Sequence, residues 1–286
     1  MSTSFDKPIF IIGAARSGTT MLGEILSRHP QVAYWLEPKY IWRFGQASAK
    51  HDIRTGENLD PKVKRYIRES FSRYLQKSGK TRFVEKTPSN VFRIEFIKEI
   101  FPEGRFVYIL RDGRDVVLSA EKKWMSPPDS SALMRRLRKM EIPFSEFLLY
   151  IGSILRDVPG RILFPKRGLL WGPQFEGIRD YRRDHSVLET CAMQWLKSIE
   201  AAESGFENLS KDKVFTLRYE ALIENPEHEI ERLLDFCELS PIINMYDFTR
   251  KIKPGKKVYS ETEVEKITQI YPIIGRKLEE LGYYEK

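Results

Sequence analysis

The sequence predicts a three-layer α/β fold: a central parallel β-sheet with helices on both faces. Two observations carry this reading. Short β-rich apolar runs alternate with amphipathic helical segments, the order that builds a parallel sheet. The first of these runs feeds a glycine-spaced loop that opens a helix. Residues 8–14 (PIFIIGA) form that first run, apolar throughout as in a strand covered on both sides. The helix after the loop places Met21, Leu22, Ile25 and Leu26 on one face and ends at His29-Pro30. A second strand is expected at 82–86 (RFVEK), with a helix at 91–100 after TPSN. A third strand, 105–112, feeds a helix carrying Val116, Val117, Ala120 and Trp124 on one side. The long helix 187–204, striped by Leu188, Cys191, Trp195 and Ile199, precedes a fourth strand at 213–220. A last helix presents Val264, Ile267, Ile270, Ile274, Leu278 and Leu281.

Residues 125–185 break the rhythm, with six prolines between Pro127 and Pro173. The expectation is one domain over 1–286, with 125–185 a mainly helical insertion over the ligand cleft at the carboxyl ends of the strands. Hydrophobic residues make up 41% and charged residues 31%, the balance of a folded chain rather than a disordered one. No apolar run approaches a membrane span, and the first residues carry no signal pattern. Cys191 and Cys237 suggest neither a disulfide nor a zinc site. A cytoplasmic location is therefore expected. The net charge of +8 suits an anionic partner, but its basic residues are spread along the chain and do not choose among anions.

Gly13 and Gly18 stand at the spacing of the phosphate-binding loop G-x-x-x-x-G-K-[ST], giving the fold a P-loop nucleotide-hydrolase-like character. Thr19 takes the place of the lysine, followed by Thr20. Backbone N–H groups and a helix N-terminus bind anions without that lysine. Arg16 stands in the loop, and Ser17, Thr19 and Thr20 add hydroxyls. In ILRDGRDVVLSA, Arg111 ends a strand, and Ser119 follows on the next helix; both can donate to an anion over the cleft. Asp112, Arg114 and Asp115 can pair and cap the helix start. In FVEKTPSN, Glu85 and Lys86 sit at a strand end but face opposite ways. Lys86 is a candidate cation; Glu85 is a candidate base or a structural partner. Glu37, in YWLEPKYIW, falls in an aromatic loop: spacing alone favours an ordinary surface-loop glutamate, while aromatic burial would raise its pKa and make it a better base.

Taken together, these pieces resemble the sulfotransferase superfamily that uses 3′-phosphoadenosine 5′-phosphosulfate (PAPS). R-S-G-T-T at 16–20 is similar to its 5′-phosphosulfate loop, and R-D-x-R-D-V-x-x-S from Arg111 to Ser119 to its 3′-phosphate site. E-K-T-P at 85–88 recurs in the heparan sulfate branches, and the glutamate placed after H-P resembles the tyrosylprotein branch. LRYEALIENPE (217–227) and KPGKK (253–257) are further matches. The resemblance covers about residues 8–120 and 187–284. It implies PAPS as co-substrate, adenosine 3′,5′-bisphosphate (PAP) as product, and sulfuryl transfer without a metal. It implies that Arg16 and Lys86 offset charge on the departing phosphate while Arg111 and Ser119 hold the 3′-phosphate. Tyr219, Lys256 and Lys257 would close over the nucleotide.

The resemblance ranks Glu37 above Glu85 as base, with His51 and His185 as distant alternatives. The acceptor is expected to be a glycan or small metabolite. Trp171, Tyr181, Arg182, Arg183 and the basic run 134–139 could hold it, or could belong to a lid. A nucleotide kinase with a degenerate loop is one rival, weakened by the missing lysine. A nucleic-acid-binding module, suggested by charge alone, is the other; no helix-turn-helix, zinc or stacking-sheet signature supports it.

Overall fold

The computed structural model describes residues 5–46, 48–126, 170–242, 245 and 258–284. β1 (Ile9–Ile12) is buried along its whole length, which is why its residues are apolar without alternation. The loop 13–18 leads into α1 (Thr19–Leu26). β2 (Val32–Leu36), a short α2 (Lys39–Trp42) and α3 (Pro61–Ser78) follow. Asp60 caps α3 by accepting from the Lys62 N–H at 2.8 Å, and Gly79, with φ of 65°, ends it. β3 (Arg82–Lys86) is followed by a 3-10 turn (Pro88–Phe92) and α4 (Ile94–Ile100), then β4 (Arg105–Leu110) and α5 (Gly113–Met125).

Beyond the undescribed stretch come α6 (Ile178–Asp184), α7 (Val187–Phe206), β5 (Val214–Arg218), α8 (Tyr219–Glu224) and α9 (Pro226–Cys237). The final element is α10 (Glu261–Glu280). The S-x-x-E sequences Ser186–Glu189 and Ser260–Glu263 both form reciprocal capping boxes, fixing the starts of α7 and α10. Among the described residues, no helix is long and apolar enough to cross a membrane.

The strands form one five-stranded parallel sheet in the order β2-β3-β1-β4-β5. Its two faces bury separate apolar clusters. Phe10, Phe83, Phe106 and Tyr108 pack with residues of α4, α5, α7 and α10. Ile9, Ile11, Val84, Val107 and Ile109 pack with residues of α1, α8 and α9. The chain leaves β1 toward β2 on one side, then crosses back from β3 to β4 on the other. The connection order thus reverses at β1, and ligands of open α/β sheets bind in the crevice at such a point. The loop 13–18 occupies it.

Two expectations are corrected. Residues 34–36, read as part of an aromatic loop, belong to the edge strand β2 (Val32–Leu36), paired with β3 from Val32↔Arg82 to Leu36↔Lys86. Residues 88–92, partly assigned to a helix starting at 91, form a 3-10 turn, and the α-helix starts at Ile94. Lys256, Lys257, the run 134–139 and most of the 125–185 insertion lie outside the described residues.

Candidate active site

Parallel pairing brings the carboxyl ends of the five strands to the same edge of the sheet. Leu36 pairs with Lys86, Ile11 with Lys86, Ile12 with Tyr108, and Leu110 with Arg218. Glu37 lies one residue beyond β2, Lys86 ends β3, and the loop follows β1. Arg111 and Tyr219 lie one residue beyond β4 and β5. Residues far apart in sequence thus become neighbours because every strand runs the same way.

The loop is shaped by two glycines. A Cβ on Gly13 would come within 2.7 Å of the Ile109 carbonyl oxygen, so only glycine lets the loop lie against β4. Gly18, the residue before α1, has φ of 94°, and a Cβ there would meet the Tyr219 ring at 2.7 Å. Among the described residues no side chain caps α1 at Gly18, which leaves the N–H groups of its first turn to another acceptor. Arg16 also has positive φ, 79°, a strained conformation for a branched-free but bulky side chain. Ser17 and Thr19 are buried, whereas Arg16 and Thr20 face outward.

Arg16 and Arg111 meet over this loop. Arg111 Nη1 donates to the Arg16 carbonyl at 3.2 Å, and Arg16 Nε donates to Ser119 Oγ at 3.0 Å. The Arg111 guanidinium lies over the Tyr219 ring, 4.1 Å from its centroid, and Tyr219 in turn covers Gly18. Arg111 Nη2 reaches Asp115 at 3.4 Å, and Arg111 Nε is buried without a partner among the described residues. Asp112 caps α5, its Oδ1 accepting from the Arg114 N–H at 2.9 Å. Asp112 thus serves as the cap of α5, while Asp115 pairs with Arg111.

Glu37 and Lys86 make the other flank. Lys86 Nζ donates to Glu37 Oε1 at 2.8 Å, and the Glu37 N–H donates to the Lys86 carbonyl at 2.9 Å. Lys39 stands 3.6 Å from the second carboxylate oxygen. Glu37 has φ of 53°, a left-handed backbone that turns its side chain back over the sheet edge. Only 2% of the Lys86 side chain is exposed, and burial lowers its pKa, with the Glu37 charge opposing.

Glu85 points to the opposite face and is fully buried. Trp42 Nε1 donates to Oε1 at 3.0 Å, Thr87 Oγ1 to Oε1 at 2.5 Å, and Asn90 Nδ2 to Oε2 at 2.5 Å. Burial pushes its pKa up to about 7 against those hydrogen bonds. His51 has a buried Nδ1 without a partner, and His185 stacks on Tyr181 at 3.8 Å. Neither histidine stands among the residues at the strand ends.

A family model described as "Sulfotransferase family" matches residues 8–143 and 154–242. The chain belongs to the sulfotransferase family. It is 26% identical over 133 residues to the nodulation protein NoeE of Sinorhizobium fredii, covering 41% of this chain and 32% of that protein. It is 22% identical over 243 residues to the protein-tyrosine sulfotransferase of Drosophila melanogaster, covering 81% of this chain and 38% of that one. The matched regions therefore span about a third of the length of these two relatives. The crystal structure of the sulfotransferase STF9 from Mycobacterium avium superposes with a TM-score of 0.56 at 13% identity, covering 97% of this chain and 77% of that one. This likeness carries the sulfotransferase fold, a parallel sheet flanked by helices.

Sequence reasoning missed three residues that brace this sulfotransferase's cleft. Glu220 accepts from the Asp112 N–H at 2.9 Å, Tyr283 donates to Glu220 at 3.0 Å, and Tyr259 donates to Asp115 at 3.2 Å. Glu220 adjoins Tyr219 in LRYEA, where it could have been noticed. The two tyrosines flank a helix near the end of the chain, and no local pattern ties them to the loop.

Proposed function

We propose that this protein transfers the sulfuryl group of PAPS to an acceptor hydroxyl (or amine) on a carbohydrate or small metabolite, with Glu37 as base. The observation that carries the reading is the set of residues at the carboxyl edge of the sheet. Arg16, Arg111 and Ser119 converge on one side of the uncapped α1 N-terminus, and Glu37 with Lys86 converges on the other. A nucleotide with phosphates at both ends of its ribose suits the loop together with the arginine cluster beside it. Ser17, Gly18, Thr19 and Thr20 would hold the 5′-phosphosulfate, Arg111 and Ser119 the 3′-phosphate, and Tyr219 the space between.

In the proposed step the acceptor oxygen attacks sulfur, forming one S–O bond as the bond from sulfur to the 5′-phosphate oxygen breaks. The electron pair of the broken bond leaves with that oxygen, giving PAP, and the acceptor proton passes to Glu37. Taking that proton removes the charge that holds Lys86, so its ammonium becomes available as negative charge builds on the departing phosphate. Glu85 is the weaker base candidate: three donors occupy its carboxylate on the far face of the sheet. Trp171, Tyr181 and Arg182, partly buried in the described end of the insertion, have the mix of aromatic faces and guanidinium groups that suits a sugar acceptor.

A thermal-shift comparison tests the donor. PAP at about a hundred times its Kd should stabilise the protein by about 2.7 kcal/mol. ATP with magnesium should give a smaller shift at equal concentration; an equal or larger one would refute the reading. Turnover of PAPS by Glu37→Gln should fall by about 10²–10⁴, the usual worth of a general base. Full activity in that variant would remove Glu37 from the role.

A further inference from the structure

We infer that Glu220 is a positioning residue for Arg111 and works through the docked C-terminal turn. The inference rests on Arg111 being a ligand of the nucleotide 3′-phosphate. Arg111 opens the turn between β4 and α5, and Asp112 follows it. The Asp112 carboxylate is already committed to the Arg114 N–H and side chain, so it cannot steady its own peptide. Glu220 does so from the next turn of the sheet edge, accepting from the Asp112 N–H at 2.9 Å. Because Tyr219 lies against the guanidinium face of Arg111, one dipeptide holds this arginine twice: at its head and at the amide after it.

The second Glu220 oxygen accepts from the Tyr283 hydroxyl at 3.0 Å. Tyr283 is itself fixed: the Arg218 guanidinium lies 4.8 Å from its ring centroid and donates to the Leu281 carbonyl. The turn that ends α10 therefore orients the carboxylate that orients the β4–α5 turn. An arginine fixed before its ligand arrives loses less side-chain freedom on binding. That gain falls first on the 3′-phosphate, the ligand of Arg111; the loop that holds the 5′ end meets this arginine only through the Arg16 carbonyl.

The test is titration of PAP and of adenosine 5′-phosphate, which lacks the 3′-phosphate, into wild type, Glu220→Ala, Glu220→Gln and Tyr283→Phe. Glu220→Ala should raise the Kd of PAP about tenfold, the worth of one well-made hydrogen bond, and that of adenosine 5′-phosphate by less than about twofold. Glu220→Gln, whose amide oxygen still accepts from Asp112, should regain most of the loss. Tyr283→Phe, a milder change on the chain's last turn, should weaken PAP selectively by about threefold. Equal weakening of both nucleotides would mean general loosening and overturn the inference, as would unchanged PAP binding. A wild type that binds the two nucleotides equally would instead refute the 3′-phosphate reading, and this inference with it.

Discussion

Glu85 and Lys86 are adjacent in sequence and opposite in consequence. Lys86 meets Glu37 at the sheet edge, while Glu85 is sealed beneath Trp42. Burial raises the Glu85 pKa from 4.5 to about 7. Between those values the folded protein keeps a proton that the unfolded chain has released. The stability from this group is full below about 4.5 and is lost as the pH rises through about 7. Glu85→Gln imitates the protonated side chain. Asn90 Oδ1 is buried without a partner among the described residues, so a half-turn of that amide would let it accept from the new one. The variant's stability relative to wild type should rise between pH 4.5 and 7 by at most about 3 kcal/mol, at 1.36 kcal/mol per unit. Urea unfolding at pH 5 and pH 8 measures it; a difference that stays constant with pH would contradict the assignment. Glu85→Ala strands three donors and should cost about 3 kcal/mol or more at either pH.

At the scale of elements, the loop between β1 and α1 was legible because glycine spacing records a backbone requirement directly. Gly18 shows what that requirement is. Its φ of 94° and the Tyr219 ring against it both exclude a side chain. Gly18→Ala should destabilise the fold by about 1–2 kcal/mol from backbone strain alone. It should also push Tyr219 off Arg111 and weaken PAP binding about tenfold. Denaturant unfolding and PAP titration read the two effects separately, and wild-type affinity in the variant would show that Tyr219 is not held by that contact. β2 was not legible. Its five residues lie between His29-Pro30 and Glu37-Pro38, and its burial runs from buried Val32 to exposed Leu36 without a two-residue alternation. What makes it a strand is pairing with residues 82–86, fifty positions away, which no local window contains. The same distance hid the Glu37–Lys86 ion pair: both residues could be singled out by type, but only the sheet register joins them.

At the scale of the whole molecule, α10 packs on α5 and α7, and the turn that follows it brings Tyr283 to Glu220 from far along the sequence. Lys266 pairs with Glu121 of α5 at 2.7 Å, and Lys277 with Glu203 of α7 at 3.0 Å. Along the same helix Ile270, Ile274 and Leu278 are fully buried. Periodicity placed Val264 on the same apolar face, yet it is 51% exposed. A repeat in sequence marks which side of a helix is apolar; how far its partner surface extends depends on α5 and α7, which the repeat does not contain. Two truncations separate these contributions. Ile274→Ala leaves a cavity against the core and should cost about 2–5 kcal/mol. Val264→Ala removes methyl groups already in contact with water and should stay within about 0.5 kcal/mol of wild type. Such domains are stable by only about 5–15 kcal/mol, so the first change should move the urea midpoint visibly and the second should not. If both midpoints shifted alike, α10 would have to be seated differently on α5 and α7. The bracing of Glu220 by Tyr283 would then lose its support, because that contact depends on where this helix ends.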